Sequence, residues 1–152
     1  MYLEVTNMLN EDDIQLLNTI SESADMAKES TQQVLDKTTE GSFKNTLQKQ
    51  LKNHNDIHEK IQKMLHFDNV KAKQANPISK FQAQIVSNLK TLTADNPTSK
   101  IAEMVIQGTT MGTTEITKEL HNYKGSNLEI KVLAQQYLES LQQNINEMKP
   151  FL

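Results

Sequence analysis

Cysteine is absent from the chain. Disulfides, thiol catalysis and thiolate zinc sites are therefore excluded, and the composition is compatible with a reducing cytosol. Aromatic residues are scarce, at 5%, and apolar residues as a whole reach only 36% of 152 residues. A core must then come from Leu, Ile, Met, Val and Ala, which suits amphipathic helices needing one apolar stripe each. No stretch approaches the ~18 apolar residues of a membrane-spanning helix. Met1 to Asn10 lacks the basic region and apolar run of a signal peptide. The expectation is a cytoplasmic protein with no transmembrane segment. Excess positive charge is also missing, the net charge being −3, which argues against nucleic acid as a partner. No serine sits in a nucleophile-elbow pattern. No Gly-Lys-Ser/Thr follows the glycines, so there is no phosphate loop. No segment alternates like a strand bounded by hairpin turns, and no internal repeat is visible.

What the chain does contain is helical periodicity over the length of one domain, residues 1–152. Helices are predicted at about 11–38, 42–66, 77–93, 97–124 and 127–149. Asn10 is a good N-cap, and Glu11, Asp12 and Asp13 place negative charge at the positive end of the first helix dipole. Ile14, Leu17, Ile20, Ala24, Ala27, Thr31, Val34 and Leu35 form its stripe, with a small middle at Ser21, Ala24 and Ala27. Gly41 breaks that helix and Ser42 caps the next, whose stripe is Phe43, Leu47, Leu51, His54, Ile57, His58, Ile61 and Leu65. Its lysines face an acidic first helix, so adjacent placement would bring modest attraction. Asn76 and Pro77 open the third helix, with Ile78, Phe81, Ile85, Leu89 and Leu92. Asn96 and Pro97 open the fourth, with Ile101, Met104, Val105, Gly108, Met111, Gly112, Ile116 and Leu120, ending at Gly125. Ser126 and Glu129 read as a capping box for the fifth, which carries Leu128, Val132, Leu133, Tyr137, Leu138, Leu141, Ile145 and Met148. Short connections favour antiparallel neighbours. The expected architecture is all-α: an antiparallel four-helix bundle with one extra or broken helix at 77–93.

His54 and His58 are the one constellation that could hold a metal, because an i,i+4 spacing lets two imidazoles meet one ion. A di-metal bundle site takes a Glu from each of two helices and a Glu-x-x-His from each of the others. Here Asn55 precedes His58 by three residues, the last helix has no histidine, and Glu22 and Glu29 lie off the apolar stripe. Two readings stay open: core imidazoles bonded to neighbouring helices, with no cofactor, or a site for iron, manganese or zinc. Gly108 and Gly112, one turn apart on an apolar face, mark either tight packing against a helix or a bulky side chain such as Phe81, or a groove left open for a ligand or a partner helix. Glu115, Glu119 and His121 read as a solvated surface. The methionines fill gaps in the stripes and are not a cofactor box.

The segment from Ser99 to Gly112, Ser-Lys-Ile-Ala-Glu-Met-Val-Ile-Gln-Gly-Thr-Thr-Met-Gly, resembles small ferritin-like helical-bundle proteins of unknown function from Gram-positive bacteria. The closing Asn144 to Leu152 is similar to them too. The resemblance implies a ferritin-like bundle and delivers no activity. The expected role is non-enzymatic and structural, or exercised through a protein partner or a homo-oligomer; the alternative is metal binding by His54 and His58.

Overall fold

A computed structural model of the chain describes residues 9–39, 41–70, 83, 87–90, 92 and 97–152. Among the described residues the chain is all-helical, with four long helices: α1 (Glu11–Leu35), α2 (Gly41–Phe67), α3 (Pro97–Asn122) and α4 (Leu128–Met148). A short 3-10 turn, Lys149–Phe151, follows α4. Pro97 is the first residue of α3, as its fixed φ and missing N–H favour. The helix expected at 77–93 lies largely outside the described residues; 87–90 are helical, and Leu89 and Leu92 pack on the core.

Several ends differ from the sequence expectation. Helix α1 stops at Leu35, because Lys37 and Thr38 donate to Val34 and Leu35, bonds one residue shorter than the α pattern. Its start carries a full capping box: Asn10 Oδ1 accepts from Asp13 N, and Asp13 Oδ2 accepts from Asn10 N. Gly41 opens α2 rather than ending α1, so Ser42 lies within the first turn. Asn127, not Ser126, caps α4: its Oδ1 accepts from Ile130 N, three residues on. Ser126 stands one residue too early to reach that donor.

The buried faces follow the predicted period, except that Met111 of the α3 stripe and Leu128 and Val132 of the α4 stripe are exposed. In α4 the inward side is Ile130, Leu133, Ala134, Tyr137, Leu141, Asn144 and Met148. Leu128 is 71% exposed, so the first turn of the expected stripe faces solvent. Two apolar clusters run along the helices. One holds Leu16, Leu17 and Ile20 of α1, Ile61 and Leu65 of α2, Ile116 of α3, and Ile130 and Leu133 of α4. The other holds Val34 and Leu35, Phe43 and Leu47, Ile101 and Ala102, and Met148. Each such fully buried Leu or Ile contributes roughly 1.5–3 kcal/mol.

The order of residues through the clusters gives the helix directions. Helices α1 and α4 run from the first cluster to the second; α2 and α3 run the other way. Helix α2 therefore ends, and α3 begins, at opposite ends of the core. The close neighbours are α1 with α2, α1 with α3, and α3 with α4. Between α2 and α4 the contact is thinner and polar: Lys49 with Glu147, Gln50 with the Asn144 carbonyl, Asn53 with Ser140, His54 with Tyr137. Of the α2 lysines, Lys49 is thus drawn to α4, its Nζ 3.2 Å from Glu147.

Candidate functional site

Helices α1 and α3 face each other with small residues at matching spacing. Ser23, Ala27 and Ser30 on α1 oppose Gly108, Gly112 and Thr109 on α3. Neither helix fills the space between them, and a cavity of about 130 Å³ results. Met104 and Val105 close one part of the wall, and Met26 and Met111 another. The floor comes from the other two helices: His54 of α2, with Tyr137 and Leu141 of α4. Glu115 and Met111, both solvent-exposed, belong to the rim.

Gly112 bears on the choice the sequence left open. A Cβ on Gly112 would meet only Ser23 Oγ, at 4.0 Å. That is ordinary contact distance, so Gly112 leaves a space instead of admitting a tightly packed neighbour. Phe81, the expected packing partner, lies outside the described residues.

The wall is mainly apolar in character because its threonines spend their donors locally. Thr31 Oγ1 donates to the Ala27 carbonyl and Thr109 Oγ1 to the Val105 carbonyl, at 2.6 and 2.7 Å. Ser30 differs: its Oγ is buried and has no partner among the described residues. At the floor, His54 is 3% exposed, and its Nδ1 shares a 2.8 Å hydrogen bond with the Tyr137 hydroxyl. The rings meet edge to face, centroids 5.9 Å apart. Burial lowers the His54 pKa from 6.5 to about 4 and raises that of Tyr137. Both groups are neutral at pH 7, which is how a low-dielectric floor keeps polar atoms without a charge.

His58 takes a different course from His54. Its Nδ1 lies 3.1 Å from Ser21 Oγ and 3.3 Å from the Ser21 carbonyl, against α1, and Gln62 donates to the same hydroxyl. The two imidazoles are thus engaged with opposite neighbours, Tyr137 of α4 and Ser21 of α1. Among the described residues, no three of His, Cys, Asp or Glu gather where they could hold an ion. Asn55, in the place of the missing Glu, donates to Glu59 on its own helix, at 3.4 Å. Of the surface trio, Glu115 alone reaches the cavity; Glu119 and His121 do not line it.

Sequence reasoning placed His54, Tyr137, Gly108 and Gly112 on inward faces without bringing them to one site. It missed Ser23, Met26 and Ser30 as wall residues. A signal was present: two helices each with small residues at i, i+4 can only leave a gap if they are neighbours at the same level. No family model, no curated protein and no solved structure matches this chain.

Proposed function

We propose that this protein is a ferritin-like four-helix bundle that binds a small uncharged molecule in the cavity between α1 and α3, without catalysing its conversion. The bundle assignment draws on helix directions: α1 and α4 one way, α2 and α3 the other, with a long connection joining opposite ends. That is the course of bundles with one crossover. The observation that carries the binding role is the cavity itself, open at Gly112 and floored by neutral His54 and Tyr137. An apolar cavity of roughly 150 Å³ holds one benzene ring. The space here, about 130 Å³, is of the same order. A charged ligand would lose its hydration against apolar walls and a neutral floor, the one carboxylate of the lining, Glu115, standing at the solvent-exposed rim.

The test is titration of the full chain with benzene, followed by calorimetry and amide chemical shifts. Benzene is expected to bind and to shift amides of α1 and α3 around Ala27 and Gly112. Gly112→Leu should abolish that binding while the helix content stays. Gly112→Ala, whose methyl meets only Ser23 Oγ at ordinary contact distance, should retain binding and raise stability by about 1 kcal/mol, since a helix-interior glycine is poor. Unchanged benzene binding in Gly112→Leu would sink the assignment. The alternative role for His54 and His58 is read in the same calorimeter with iron, manganese and zinc: stoichiometric binding that disappears in His54→Ala with His58→Ala would establish a metal function instead.

A further inference from the structure

An apolar cavity needs no polar floor, yet this one has an imidazole and a phenol at its base. His54 Nδ1 is occupied by the Tyr137 hydroxyl, and Nε2 has no hydrogen-bond partner among the described residues. The ring is neutral, so one nitrogen carries a proton and the other a lone pair. If Tyr137 donates to Nδ1, then Nε2–H is a free donor. If Nδ1–H donates to the phenolic oxygen, Nε2 is a free acceptor. A ligand hydroxyl satisfies either arrangement, being donor and acceptor at once. An ether or ketone suits only the first, and a hydrocarbon suits neither. The buried Ser30 Oγ on the α1 wall, also without a partner among the described residues, offers a second polar atom in the same cavity.

We propose that the cavity floor recognises one hydroxyl, and that the ligand class is a small uncharged alcohol or phenol about the size of a single six-membered ring. This rests on the reading of the cavity as a ligand site. Buried polar atoms left unpaired favour the ligand that pairs them. The apolar walls accept the carbon body, and the narrow volume limits it to about one ring.

Phenol and toluene have nearly the same shape and differ in the hydroxyl, so they are the probes. Titrated calorimetrically into the full chain at pH 7, phenol is expected to bind about tenfold more tightly than toluene, the equivalent of one net hydrogen bond. The imidazole ¹⁵N resonances of His54 should move with phenol and stay with toluene. In the double variant His54→Leu, Tyr137→Phe the preference should fall to within about twofold, with toluene binding kept. Equal affinities in the wild-type chain overturn hydroxyl recognition and leave the cavity reading standing. A tenfold preference that survives in the double variant overturns it as well. Failure of both probes to bind the wild-type chain removes the cavity reading along with the inference. Should the double variant fail to fold, the wild-type affinity ratio and the ¹⁵N shifts decide.

Discussion

His54 shows how one buried side chain links interior packing to solution behaviour. Its folded pKa, about 4, lies below the 6.5 of an ordinary histidine because burial disfavours the imidazolium. Above pH 6.5 both folded and unfolded chains hold it neutral. Between 6.5 and 4 the unfolded chain takes up the proton and the folded chain does not, so stability falls as pH drops through that window. Below about 4 both states are protonated and the slope from this group ends. The amount at stake is on the order of 3 kcal/mol. Urea midpoints at pH 7, 5.5 and 4.5 should therefore decline more steeply for the wild-type chain than for His54→Gln, which has no proton to gain. Parallel declines would remove His54 as the cause.

At the scale of the element, the ends of the helices carry specific chemistry. Helix α2 closes with a left-handed residue, Asn69, at φ 58°. Asn69 N donates to the His66 carbonyl and Val70 N to the Leu65 carbonyl, the paired bonds of a Schellman cap. Val70 then packs on the first cluster, and Asp68 Oδ2 accepts from Leu9 N at 2.6 Å, tying the entrance of α1 to the end of α2. A β-branched residue resists this backbone region, so Asn69→Val should cost roughly 1–2 kcal/mol in chemical denaturation. Asn69→Gly, free to adopt it, should stay within a few tenths of wild type. Equal losses in both variants would point to the Asn side chain and away from the backbone. The same end is held further by Tyr123, whose hydroxyl donates to Asp13 Oδ1 of the α1 cap and accepts from Asn127 N of the α4 cap. Burial, together with the bond to Asp13, pushes its pKa up to about 12. A methyl on Gly125 would strike that ring, which explains a glycine where φ requires none.

Across the whole molecule, the α2–α4 contact fixes register by polar groups. Positions 49, 50, 53 and 54 ascend α2 while their partners 147, 144, 140 and 137 descend α4. Sliding one helix by a turn would break all four at once, whereas an apolar seam tolerates slippage. The ladder has one flaw: Asn144 Nδ2 is buried and has no partner among the described residues. Its backbone carbonyl makes the bond to Gln50, so the side chain is dispensable to the ladder. Asn144→Leu should remove an unsatisfied amide and stabilise the chain by about 1 kcal/mol, or roughly 2–4 °C in thermal midpoint. A lower midpoint would show that the amide serves register or finds water.

The periodicity of Phe43, Leu47, His54, Ile61 and Leu65, or of Ile101, Met104 and Ile116, determined from sequence that these segments are helices and which faces turn inward. Local capping at Asn10 and Pro97 was legible for the same reason: it depends on residues within one turn. The Asn127 and Asn69 caps escaped because several nearby residues have the chemistry to serve, and backbone geometry chooses among them. Only the tertiary structure decided that His54 meets Tyr137 while His58 meets Ser21, and that Gly112 borders a space. A stripe records that a side chain is inward but not what lies at the same height on the next helix. That height is set by helix direction, by the connection from α2 to α3, and by the polar ladder between α2 and α4.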